Sequence, residues 1–190
     1  MLSQAPVRHH VQTPSVWRDS PQRYGRISRC LHWGMALLLA WQFAGMLAKV
    51  SLGRDAAWTK WLASAHADMG LLLLVLVVVR LVWAWTQQRQ RPQQTAAAWL
   101  GHLALYGLML VVPLLALLRM LGQTRAFSWW GWIPLNAGGG EKVEWMIAPA
   151  AALHGLLGWV LLALIAGHVG MVILHRWYFK DEVAQRMIGR

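Results

Sequence analysis

Residues 147–175 read IAPAAALHGLLGWVLLALIAGHVGMVILH. The stretch is long enough to cross a hydrocarbon core of roughly 30 Å. Before His175, its ionisable side chains are His154 and His168. Those two are 14 residues apart, which in an α-helix is roughly 21 Å along the axis and roughly 40° around it. One helix therefore carries two imidazoles on one face, one towards each side of a bilayer.

Three more apolar stretches precede it, at about 30–50, 62–85 and 99–121, and the second contains the unbroken run LLLLVLVVV at 71–79. The 190 residues are 57% hydrophobic and 13% charged, about half the charged fraction of a soluble domain. The expected fold is all-α: an integral membrane four-helix bundle. Fourteen Trp, many at the ends of the apolar stretches, suit the headgroup level of a bilayer.

A net charge of +11 raises the question of nucleic acid, but the basic residues are scattered over tails and loops and form no compact patch. They suit a topology. Four crossings put both tails on one side. The tails, the second loop and Arg80 hold twelve Lys and Arg; the other two loops share Lys49, Arg54, Lys60, Arg119, Arg125 and Lys142. The positive-inside rule then places both tails in the cytoplasm. Cys30 is the only cysteine, and no C-x-x-C-H offers covalent haem attachment. Residues 1–22 are polar and show no cleavable signal.

Residues 1–19, with His9 and His10, are expected to form a disordered tail, residues 20–180 the four-helix domain and 181–190 a second tail. Ser20-Pro21 predicts a helix start, Ser as N-cap and Pro at the first position. Pro113 predicts a kink in the third helix. The connection at about 122–146, with Trp129, Trp130, Trp132 and Gly138-Gly139-Gly140, is too aromatic for a solvated linker. It is expected to fold over the external face, with a short interfacial helix.

Polar ionisable side chains at membrane depth are costly and mark function. A neutral imidazole bonding across helices is the plain alternative for any one of them. Four at matching depths point elsewhere. Following chain direction, His66 pairs in depth with His154 near the outer face, and His32 with His168 near the inner face. Two imidazoles per site without a thiolate or carboxylate argue against zinc and for haem, whose porphyrin supplies four nitrogens. The bundle is thus expected to hold two stacked haems, with His32, His168, His66 and His154 as iron ligands. Gly70 follows His66 by four and Gly158 follows His154 by four, on the same faces, leaving room for a flat macrocycle. Arg80, 14 residues after His66, faces the inner site and would meet a haem propionate; Arg26 and Arg29 could do the same. His175 and His102, near the inner haem, are candidates to bond a quinone carbonyl, and His102 could compete with His32 as partner to His168.

These residues resemble the bacterial cytochrome b-561 family, from about Tyr24 to Lys180. The likeness rests on Tyr24-x-Arg26 with Leu31-His32-Trp33, and on His66-x-x-x-Gly70 with Val79-Arg80-Leu81. It continues in Gly101-His102-Leu103 with Tyr106 and Pro113, then His154, His168 and His175 followed by Trp177-Tyr178-Phe179-Lys180-Asp181. The resemblance implies two b haems on the same histidine pairs and ubiquinone as electron partner. Some members resemble superoxide oxidases, which take an electron from superoxide outside and reduce ubiquinone in the membrane. Lys60, Arg119, Arg125 and Lys142 are the cations expected to draw superoxide to the outer face.

Two other readings compete. In one, the chain is the membrane cytochrome b of a dehydrogenase or hydrogenase complex, with a redox partner protein as donor. In the other it is a histidine-lined metal-ion transporter. The latter needs acidic ligands, and only Asp68 lies within an apolar stretch.

Overall fold

The computed structural model describes residues 16–189; His9 and His10 lie outside them. Four helices are long and apolar enough to span a bilayer. They are α1 (Arg26–Ser51), α3 (His66–Thr86), α4 (Ala96–Leu121) and α5 (Glu144–Leu174), the last running on as a π-helical turn over His175–Phe179. Short helices α2 (Ala57–Ser64) and α6 (Val183–Ile188) follow α1 and that turn. Pro113 stays within an unbroken α4 and is buried there.

Three local expectations are corrected. The first helix begins at Arg26, not at Ser20-Pro21. The Ser20 hydroxyl accepts from Arg23 N at 3.2 Å in a tight turn, and the extended Gly25 (ψ 168) sits between turn and helix. Asp19 meets the start of the helix instead, accepting from Gly25 N at 2.8 Å and from the Ser28 hydroxyl at 2.6 Å. Asp19 is 4% exposed, so the end of the expected tail is packed into the protein. Second, the run at 62–85 is two helices broken at Ala65. His66 therefore opens α3.

Third, the aromatic connection forms no helix. It folds into an antiparallel hairpin of β1 (Phe127–Trp129) and β2 (Ile133–Asn136), with Trp129 opposite Ile133 and a bulge between Phe127 and Ser128. Trp132 N donates to Trp129 O across a turn in which Trp130 and Gly131 both have positive φ, +48° and +73°. That is the type I′ pattern whose twist suits a hairpin. Asn136 anchors the hairpin by donating from Nδ2 to the free carbonyls of Met120 (2.8 Å) and Gln123 (2.7 Å) at the end of α4.

The buried core is small. Met35, Leu73 and Val77 form its centre, with partly buried Leu38, Leu39, Leu76 and Leu81 and, from α4, Met109 and Leu110. It joins α1, α3 and α4. The helix α5 packs chiefly on α4 and has no comparable packing on α1 or α3. The ring of four helices is thus open between α5 and its two opposite neighbours, where side chains alone would leave a gap that close-packed interiors do not tolerate.

Both described termini meet at one end of the bundle, the terminal end. There α6 lies on the start of α1: Tyr24 N donates to Arg186 O, Arg29 Nη1 to Ile188 O and Trp33 Nε1 to Met187 O. The hairpin closes the opposite end.

Candidate functional site

Histidines reach across the open side of the ring at two depths. Towards the hairpin end, His66 on α3 and His154 on α5 have ring centres 6.2 Å apart with planes at 78°. Towards the terminal end, His32 on α1 and His168 on α5 are 6.4 Å apart at 61°. Both pairs are those expected from depth. His66 is exposed and the other three are half-buried, so the rings line open space and are not packed into a core.

The terminal-end pair has a third imidazole beside it. His102 on α4 lies 5.5 Å from His168, and its Nδ1 is 3.2 Å from Gln94 Oε1. Gln94 in turn donates to the Tyr24 hydroxyl at 2.9 Å. His175 stands one step nearer the terminal end, its Nδ1 2.6 Å from Asp181 Oδ2. That hydrogen bond holds the Asp181 carboxyl below its ordinary value of 3.8.

Arg80 sits beside the terminal-end pair. Its Nε donates to the Tyr106 hydroxyl at 2.8 Å and its Nη2 is 3.3 Å from His32 Nδ1. It ion-pairs with no carboxylate among the described residues. Arg26 is turned the other way, its guanidinium 5.4 Å from the ring centre of Trp17. Lys60, Arg119, Arg125 and Lys142 are all exposed at the hairpin end, and Lys60 pairs loosely with Asp55 at 3.6 Å.

The two expected glycine spaces differ. A side chain at Gly158 would meet nothing within 4 Å, whereas one at Gly70 would meet Gln42 Nε2 at 3.0 Å. The space over Gly70 is thus filled from α1 by Gln42, which donates to His66 O at 3.0 Å. Gln42 interrupts an apolar run, and its role depends on a neighbour 24 residues away that periodicity does not reveal. Among the described residues no group of three or more His, Cys, Asp or Glu is arranged to hold a bare metal ion.

Residues 23–190 match the family described as prokaryotic cytochrome b561. The chain belongs to that family. It is also similar to cytochrome b561 homolog 2 of Escherichia coli (strain K12), 29% identical over 181 residues, covering 90% of this chain and 94% of that one. As a member it is a multi-pass membrane cytochrome b that binds haem b and transfers electrons.

The side chains suit that group. Metal–imidazole bonds of about 2.0–2.1 Å on both sides of one ion place opposed ring centres about 6 Å apart, close to both observed separations. His154 Nδ1 is 3.0 Å from Val112 O, the bond to a backbone carbonyl that fixes a metal-ligating imidazole and leaves Nε2 for the metal. The gap beside α5 is lined by a glycine facing open space. Arg80 offers a cation with no acidic partner among the described residues to a propionate-bearing group.

Proposed function

We propose that the protein is a di-haem cytochrome b of the bacterial inner membrane that passes electrons from superoxide to ubiquinone. The observation that carries this reading is the presence of two opposed imidazole pairs at two depths of one inter-helix gap. His66 and His154 would hold one haem, and His32 and His168 the other. Haem, when bound, would supply one-electron transfer, and a pair of imidazoles at each site would favour that over oxygen binding.

The remaining chemistry falls to the chain. Two superoxide anions give up one electron each and leave as dioxygen; one quinone takes two electrons and two protons to become quinol. The exposed cations Lys60, Arg119, Arg125 and Lys142 raise the local concentration of a small anion at the hairpin end. Arg80 would neutralise a propionate. At the terminal end His175, with Nδ1–H on Asp181, would donate to a quinone carbonyl from Nε2 when that nitrogen also carries a hydrogen, and His102 offers a second polar contact near His168. The twelve-to-six bias of Lys and Arg supports a cytoplasmic terminal end.

The test is quinone reduction by purified protein under a steady superoxide flux, with His168→Ala as control. A rate above the control supports the proposal. An equal rate ends the superoxide reading; quinone reduction that appears only with a co-purifying soluble redox subunit transfers the donor role to that partner.

A further inference from the structure

We propose that Asp68 is a positioning residue for the haem site at the hairpin end, acting by clamping the hairpin to the start of α3. The inference rests on the assignment of His66 and His154 as ligands. Asp68 is the acidic side chain that the sequence places within an apolar run, and neither the haem ligation nor the quinone chemistry uses it.

Its contacts leave the helix. Asp68 Oδ1 accepts from Trp130 N at 2.8 Å, and its carbonyl accepts from Trp129 Nε1 at 3.1 Å. An acidic residue in a first helical turn commonly serves the helix dipole, but this carboxylate is spent on the backbone of a hairpin 62 residues away. The backbone it grips is strained. Trp130 is a bulky side chain at φ +48° in a turn that favours Asn or Gly there. Such a conformation is unfavourable and persists only where the surroundings over-determine it. Here the Asp68 bond and the stacking of Trp130 on Trp129, 5.2 Å apart at 18°, hold it. The other side of the hairpin is fixed by Asn136 on the end of α4.

The clamp lies two residues from His66, which opens α3 just after the break at Ala65. A ligand in the first turn of a helix has no preceding turn to hold it, and His66 is itself exposed. Tying the hairpin to that turn fixes the ring's position. The outer ends of α3 and α4 are joined by the same loop, so the His66 end cannot drift without dragging the hairpin.

The experiment uses full-length protein in nanodiscs carrying wild type, Asp68→Ala, Asp68→Asn and Trp130→Asn. Haem content, the low-spin EPR signals, the redox titration and carbon monoxide binding to the reduced protein are read for each. Asp68→Ala is expected to weaken one of two low-spin signals, lower that haem's midpoint and open it to carbon monoxide, with the other haem unchanged. Asp68→Asn, which keeps the acceptor oxygen, is expected to behave as wild type. Trp130→Asn, which relieves the strained turn but keeps its N–H, is expected to retain most of the signal. Two haems with Asp68→Ala indistinguishable from wild type overturn the clamp alone. Equal loss at both haems, or failure of Asp68→Asn to rescue, also overturns it. Wild-type protein with no haem at the His66 end overturns the ligand assignment, and the clamp with it.

Discussion

Arg80 on α3 reaches His32 on α1, its Nη2 3.3 Å from His32 Nδ1, while its Nε is held by Tyr106 of α4 at 2.8 Å. One cation thus links three helices beside the terminal-end imidazoles. A fixed positive charge favours the reduced state of a nearby iron centre, because reduction removes one unit of positive charge. Arg80→Met should lower the midpoint of one haem on the order of 59 mV, a tenfold change in a one-electron equilibrium, and leave the other within error. Potentiometric titration followed in the visible bands measures both. Equal shifts at both haems would place the charge elsewhere.

His168 has two imidazole neighbours, His32 at 6.4 Å and His102 at 5.5 Å. The larger separation suits opposed ligation through a shared ion, as the matching 6.2 Å at the other site does. His32→Ala and His168→Ala should each cut the haem-to-protein ratio from two to one. His102→Ala should retain two haems and lose quinone turnover in part. A pyridine haemochrome assay decides it, and a ratio of one in His102→Ala would exchange the roles of His32 and His102.

Much of this was legible in the sequence, and the parts that were not share a cause. The four spans and the pairing of His66 with His154 and His32 with His168 follow from helical rise and chain direction, which are local rules. The break at Ala65 has no Gly or Pro to announce it. A Trp in the left-handed turn position is a poor hairpin signal, since that conformation favours Gly, Asn or Asp. Ser20-Pro21 gave a sound local signal that lost to a tertiary contact, the buried Asp19. Gln42 over Gly70, Arg91 on Asp19 and Asp68 under Trp130 join residues 28, 72 and 62 positions apart, and no periodicity carries information of that range.

Asp19 binds the preceding segment, α1 and the α3–α4 loop together. Besides Gly25 N and the Ser28 hydroxyl, it accepts from Arg91 Nε at 3.2 Å, with its side chain fully buried and that of Arg91 21% exposed. Ser28 in turn accepts from Trp83 Nε1 at 2.9 Å. Removing the carboxylate orphans a backbone N–H and takes the partner from a half-buried guanidinium. Asp19→Ala should therefore destabilise the protein by about 3 kcal/mol. Asp19→Asn, which keeps one acceptor and loses the charge, should cost about half as much. Equilibrium unfolding in mixed micelles compares the three, and an Asp19→Ala variant as stable as wild type would reduce the network to a surface contact.

The bond between His175 and Asp181 sets a pH window for the closure of the terminal end. Because that bond lowers the Asp181 pKa below 3.8, the ionised carboxylate is favoured in the folded protein. Its contribution is complete above 3.8 and is lost as the pH falls through the lower folded value. Amide exchange in residues 181–188, corrected for intrinsic rate, should thus show constant protection from pH 8 to pH 5, on the Asp181 account, and a decline only below the ordinary carboxylate range. Asp181→Asn should show the reduced protection already at neutral pH. Asp181 N also donates to His175 O and Val183 N to Asp181 Oδ1, so the loss should centre on the turn and spread into α6. A fall in wild-type protection between pH 7 and pH 5 would show that a group other than this carboxylate governs the closure.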